Sequence, residues 1–233
     1  MKVIYSGLES SGKSLQLAMR AVDIVYRNNK WRKKTGVIRP IASNLRFSEE
    51  FEQFAKKRGV PVVYWEDLDE LIRMKNVDVI IDEVGNYFDA RMWTDISLDA
   101  RRWITQGAKQ GVEMYGSAQD FAQVDKAFRR LVNELYHITK IIASPRPSNT
   151  RPPIKRIWGI SMRTSLDPRG YKEDKNKFEK TGLFGFSFFF IQRKYCEIFD
   201  TKQEIKRSRQ TLLRHMDKYC ENPDCEFHKI LHV

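Results

Sequence analysis

Gly7-Leu8-Glu9-Ser10-Ser11-Gly12-Lys13-Ser14 stands between a short β-rich run, residues 2–6, and a stretch with helical apolar spacing. In that stretch, residues 14–27, the apolar positions are Leu15, Leu17, Ala18, Ala21, Val22 and Val25. Strand, glycine-flanked loop and helix start, in this order, make a cradle for phosphate. The loop backbone at Gly7, Ser10, Ser11 and Gly12 turns its N–H groups inward, and the helix start adds a positive dipole end. Lys13 is placed to reach β- and γ-phosphates, and the Ser14 hydroxyl to bind Mg²⁺. The chemistry is that of ATP binding.

A second group supplies what hydrolysis needs. Residues 76–83, NVDVIIDE, read as a buried strand ending in two acids. Asp82 is suited to hold the Mg²⁺ shell, and Glu83 to orient and deprotonate a water attacking the γ-phosphate. Gln119, in GSAQD (116–120), closes the next apolar strand, where an amide can sense the γ-phosphate or the attacking water. Taken alone, each strand end is an ordinary polar turn. The upstream loop makes the catalytic reading the better one.

The elements that carry these residues alternate. Strands are predicted at 2–6, 37–43, 61–65, 76–83, 112–118 and 134–143. Helices are predicted at 14–27, 48–58, 66–74, 96–110 and 121–132, with 28–36 a basic connection. Alternation of this kind implies a parallel sheet covered on both faces. Four prolines within 144–153 then mark an extended connection. Strands resume at 154–163 and 183–191, where Gly185 suggests a bulge or close backbone approach. The polar stretch between them is read as an exposed loop or short helix. A basic amphipathic helix is predicted over 201–219. The organisation expected is a core over 1–145, a proline-rich connection and β extension over 146–200, and a basic helix with a Cys/His tail over 201–233.

Composition narrows the setting. The 233 residues carry a net charge of +12, and residues 146–233, with 19 basic and 11 acidic side chains, hold +8 of it. A polyanionic partner such as duplex DNA, gripped through its phosphates, accounts for that excess, and so does a solvated basic surface. The longest apolar run, residues 183–191, is far short of the about 20 residues that a membrane helix needs. Three cysteines make no disulfide framework, and the N-terminus enters a strand rather than a signal peptide. An intracellular protein is expected, cytoplasmic in a host cell or associated with a virion.

Together, GLESSGKS, ASNL (42–45), VIIDEVGNYFDAR (79–91) and GAKQGVEMYGSAQD (107–120) resemble the additional-strand, catalytic-glutamate, RecA-like P-loop ATPases. Within them the chain is most similar to FtsK/HerA-type motors and the zonular occludens toxin-like group, which includes phage assembly ATPases and is related to viral genome-packaging ATPases. The resemblance covers about residues 1–145. It implies a homo-oligomeric ring, usually a hexamer, with nucleotide sites between subunits completed by a trans arginine. Arg129 and Arg130 are the first candidates and Arg101 and Arg102 the second. The phage-assembly relatives carry a membrane span after the ATPase domain, and none is seen here. That favours an ATP-driven DNA translocase, a genome-packaging motor docked at a capsid vertex or on a membrane protein. An assembly or secretion ATPase working with a membrane partner, or a nucleotide-gated scaffold, are the alternatives.

Cys220, Cys225, His228 and His232, with His215 as a substitute, have ligand types suited to tetrahedral zinc, in a segment that is otherwise a frayed tail. Phe184, Phe186, Phe188 and Phe189 fit burial in a sheet or a base-stacking surface. Trp93, Trp103 and Trp158 fit core or subunit contacts, and Cys196 an inert core position.

Overall fold

The computed structural model describes residues 1–9, 11–90, 96–143, 157–168, 183–192 and 198. Among the described residues, eight strands form one sheet: β1 (Lys2–Ser6), β2 (Ile41–Ser43), β3 (Val62–Tyr64), β4 (Asp78–Ile81), β5 (Glu113–Ala118), β6 (Glu134–Ala143), β7 (Ile157–Leu166) and β8 (Leu183–Gln192). Their spatial order is β3-β2-β4-β5-β1-β6-β7-β8. The first six are parallel, and β7 and β8 continue the sheet antiparallel. Strand β5 lies between β1 and β4, which is the additional-strand arrangement of RecA-like P-loop proteins.

Alternation along the central strands sends side chains to two separate cores. Ile4, Val79, Ile81 and Met114 join Trp103, Ile104, Phe88 and Phe128 on one face. Val3, Tyr5, Ile80 and Tyr115 join Leu17, Ala21, Ile24, Phe51 and Ala55 on the other. The second face is covered by α1 (Lys13–Thr35) and α2 (Glu49–Lys57). The first is covered by α3 (Leu68–Leu71), α4 (Leu98–Gln106) and α5 (Lys126–Arg129), with short 3₁₀ turns between. Trp103 is core, one of the two places expected of it, and its indole N–H donates to the Met74 carbonyl at 3.2 Å.

Several boundaries depart from the sequence reading. Residues 28–35 are helix, not a connection: nothing breaks α1 before Gly36, and Arg32, Lys33 and Lys34 suit the negative end of its dipole. Residues 37–40 are consequently not strand, and β2 keeps only Ile41–Ser43. The stretch 121–132 shrinks to a 3₁₀ turn and the four residues of α5, because Asp120 and Asp125 each cap a fresh start with a side-chain oxygen. Strand β8 steps out of register where Leu166 faces Leu183 and Ser165 faces Gly185, so a bulge falls at 184. A Cβ on Gly185 would meet nothing, so no close approach requires that glycine. Phe186 and Phe188 are exposed rather than buried, as they stand on β8, the last strand in the order of the described sheet. Trp93, Cys196, the helix of 201–219 and the zinc candidates Cys220, Cys225, His228 and His232 lie outside the described residues, as does the side chain of Trp158.

Candidate functional site

The loop after β1 has the backbone its glycines permit. Gly7 adopts φ +146°, and a Cβ there would strike the Ile138 carbonyl oxygen of β6 at 2.5 Å. Gly12 opens α1 at φ +103°, a conformation costly for any L side chain. The Ser11 amide donates back to the Leu8 carbonyl at 3.2 Å, closing the turn. Lys13 lies largely buried under it, and its ammonium donates to the carbonyls of Gly7 (2.9 Å) and Leu8 (3.0 Å). Burial pulls the lysine pKa down, against the opposing charges of Glu83, Asp82 and Glu9. Ser11 is buried too, and Ser10 lies outside the described residues.

Asp82 follows β4 and sits two strands from β1, yet the loop bridges the gap. The Ser14 hydroxyl donates to both Asp82 carboxylate oxygens, at 3.3 and 3.2 Å. Two further residues hold the aspartate, neither of which the sequence reading had given a role. Ser117, fully buried on β5, donates through its hydroxyl to Asp82 Oδ1 and accepts from the Glu83 amide at 2.9 Å. Asn44, just after β2, clasps the Asp82 backbone: its amide nitrogen donates to the Asp82 carbonyl (2.9 Å), and its oxygen accepts from the Asp82 N–H (2.7 Å). Asn44 stands in the ASNL segment and Ser117 two residues before Gln119, so both were visible as strand-end polar residues. Their partners are visible only in three dimensions.

Glu83 departs from ordinary backbone geometry. Its φ of 55° and ψ of 66° are left-handed, a region that non-glycine residues occupy at a cost of about 1–3 kcal/mol. The turn is fixed by the Ser117 bond on one side and by the 3₁₀ turn Val84–Asn86 on the other. Gly116 makes room for that turn, because a Cβ on it would run into Val84 and Ile4. The Gln119 side-chain amide donates to Glu83 Oε1 at 3.4 Å. Burial raises the Glu83 pKa and the Asp82 charge beside it adds to the rise, while Lys13 and Gln119 act against it. Such a carboxylate is a stronger base than one free in water.

Residues distant in sequence therefore meet at one sheet edge: Ser14 with Asp82, and Glu83 with Gln119. The arginine candidates are spread out. Arg129 is buried within its own chain, Arg130 is exposed beside it, Arg101 is half-buried and donates to the Ile96 carbonyl, and Arg102 is exposed near Asp99. The antiparallel extension also reaches the loop. Ser161 of β7, fully buried, donates to the Ser11 carbonyl at 3.3 Å. Ser6 Oγ lies 3.4 Å from His137 Nδ1 on β6, and burial followed by the Lys13 charge pulls the His137 pKa down.

The donor set fits Mg²⁺. Ser14 Oγ and the Asp82 carboxylate are hard oxygen ligands, and Mg²⁺ is commonly held by one or two protein oxygens plus substrate phosphates and water. Among the described residues no cluster of three or more His, Cys, Asp or Glu side chains gathers to hold a metal by itself. No helix among them is long and apolar enough to cross a membrane.

A strand, glycine-cornered loop and buried lysine, with an acid pair two strands away across an inserted strand, define a RecA-like P-loop NTPase fold. Three solved structures match the chain to different degrees. The N-terminal domain of zonular occludens toxin from Neisseria meningitidis matches at a TM-score of 0.53 and 18% identity, over 85% of this chain and 98% of that domain. The genome-packaging NTPase of Sulfolobus turreted icosahedral virus 2, in complex with ATP-gammaS, matches at 0.41 and 12% identity, over 72% and 92%. A KaiC-like protein from Pyrococcus horikoshii OT3 matches at 0.37 and 12%, over 71% and 76%. No protein-family model and no curated protein sequence matches the chain.

Proposed function

We propose that the chain binds ATP with Mg²⁺ at residues 7–14 and hydrolyses it to move duplex DNA, most specifically in packaging a viral genome. The observation that carries the hydrolysis is the joined set of Ser14, Asp82, Glu83 and Gln119. Lys13, now bonded to loop carbonyls, is positioned to exchange them for phosphate oxygens. Ser14 and Asp82 would hold Mg²⁺, whose charge neutralises the phosphates. Glu83 takes the proton from the attacking water, and its raised basicity suits that step. Gln119 donates to the Glu83 carboxylate and would respond to the γ-phosphate through the same amide.

DNA as the moved polymer rests on the basic excess, which is concentrated after residue 145, and on the motor resemblance of the motifs. In a ring, an exposed guanidinium must reach the neighbour's site. Arg130 therefore leads, ahead of Arg102 and Arg101, and the buried Arg129 is better suited to holding α5 in place.

A second reading, an assembly or secretion ATPase working with a membrane partner, is favoured by the toxin-domain match, which extends beyond the core of residues 1–145. Steady-state ATP hydrolysis with and without long duplex DNA separates the two, measured for wild type and Glu83→Gln. Duplex-stimulated turnover lost in the variant supports the translocase. Turnover that is lost in the variant but indifferent to DNA keeps the ATPase and moves the function to the second reading.

A further inference from the structure

The far end of α1 carries a surface that the nucleotide site does not use. The helix starts at the phosphate loop and runs 23 residues, about 34 Å, so its C-terminus lies at the opposite edge of the sheet. Residues 27–39 contain six basic side chains and no acidic one. Three of the six are engaged, since Arg27 and Arg39 both bind Asp78 and Arg32 donates to Asn29. Lys30, Lys33 and Lys34 are exposed and make no ion pair among the described residues.

Amid these charges stand three large apolar side chains facing water: Trp31 at 51% exposure, Val37 at 45% and Ile38 at 56%. Exposing single apolar residues is normal, but an aromatic and two adjacent β-branched residues within eight positions, all exposed at one helix end, depart from scattered exposure. The tip that presents them is built. Gly36 caps the helix in the left-handed conformation, and its amide donates to the Arg32 carbonyl at 2.8 Å. The Thr35 hydroxyl accepts from the Val37 amide at 3.2 Å and donates to the Trp31 carbonyl at 2.9 Å. The two amides at the tip are thus satisfied inside the chain and can leave water without an unmade bond.

We propose that this tip is a peripheral docking site for an anionic lipid bilayer. Val37 and Ile38 would enter the acyl boundary, Trp31 would lie at headgroup depth, and Lys30, Lys33 and Lys34 would face lipid phosphates. Charge complementarity gives the sign of the partner, and the apolar tip selects a bilayer over nucleic acid. Aliphatic side chains gain nothing from a phosphate backbone but gain burial in a membrane interface. Docked this way, the chain would hold its nucleotide edge away from the membrane. The inference does not depend on whether the site hydrolyses ATP.

The test is sedimentation of the full chain with vesicles of phosphatidylcholine plus phosphatidylglycerol, against vesicles of phosphatidylcholine alone. Binding is expected only to the first and should weaken with added salt. Lys33→Glu with Lys34→Glu should weaken it roughly a hundredfold, and Val37→Ser with Ile38→Ser roughly tenfold. A blue shift of tryptophan emission on vesicle binding, absent in Trp31→Phe, reads out insertion separately from folding. Absence of vesicle binding would overturn the proposal, as would vesicle binding unchanged in both double variants. Loss of duplex DNA binding in the lysine variant, with the serine variant unaffected in both assays, would overturn it in favour of a nucleic-acid surface.

Discussion

Strand β4 begins at one aspartate, Asp78, and is followed at once by another, Asp82, and the two are treated oppositely. Asp78, at the N-terminal edge, is fully buried and saturated. Arg39 donates to both its oxygens (2.7 and 2.9 Å), Arg27 reaches one at 2.5 Å and Asn28 the other at 2.7 Å. Arg27 goes on to Glu113 and Tyr115, so the network binds α1, β4 and β5 together at that edge. Glu113 feels burial, but the Tyr115 hydroxyl and the Arg27 charge outweigh it, and its pKa falls below the ordinary value. Asp82, at the C-terminal edge, has only hydroxyl donors on its carboxylate and no ion-pair partner among the described residues. Neutralising one carboxylate stabilises the fold. In the proposed function, leaving the other with weak donors keeps it available to a cation that arrives with substrate.

The contrast breaks most visibly at Glu83. Glu83→Gln keeps size and hydrogen bonding but removes the proposed base, and ATP turnover should fall by about 10²–10⁴-fold with nucleotide binding retained. The two aspartates should then separate by assay. Asp78→Asn strands two guanidiniums and should cost about 3 kcal/mol in urea unfolding, a value at the low end because Arg27 is partly exposed. Asp82→Asn should leave the unfolding midpoint nearly unchanged while abolishing the Mg²⁺ dependence of ATP binding. If Asp82→Asn destabilised as much as Asp78→Asn, the division between a structural and a functional edge would be wrong.

How much of this was legible depends on whether a residue's partner is near in sequence or across the sheet. The loop 7–14 is a contiguous solution to phosphate binding, and the acids at 82 and 83 close a run of apolar β-formers, so type and context suffice. Ser117 and Asn44 hold Asp82 from strands on either side of β4, and serine or asparagine at a strand end reads as turn chemistry until the register is known. The same limit explains the arginines. Arg129 and Arg130 look alike in sequence, but a four-residue helix turns the first inward and leaves the second exposed. Lysine and arginine continue a helix well, so the basic run at 28–35 is helix although its charge alone reads as a connection.

Acidity gives a smaller effect that sharpens the same contrast. The Glu83 pKa is raised by burial and by Asp82, so the proposed base is protonated, and idle, at a pH where a free glutamate near 4.5 would already be ionised. The acid limb of kcat/KM should therefore lie above 4.5, with activity rising as pH increases through it. Asp82→Asn, assayed for whatever turnover remains, should move that limb down by removing the neighbouring negative charge. A limb that stayed put would make burial alone the cause.

The smallest expected effect concerns Ser161, which ties the antiparallel extension to the phosphate loop through the Ser11 carbonyl. A neutral buried hydrogen bond is worth about 0.5–1.5 kcal/mol, so Ser161→Ala should change ATP affinity only a few-fold. The sign and the parameter carry the information. If the bond merely braces the sheet, the unfolding midpoint falls and the KM for ATP does not move. If it holds the loop in its phosphate-ready curl, KM rises while kcat stays near wild type, because Glu83 and Gln119 sit on other strands. Ser161→Thr, which keeps the hydroxyl, should restore KM in the second case if the pocket admits the methyl. Its failure alongside a normal unfolding midpoint would show that space rather than the hydrogen bond sets the loop.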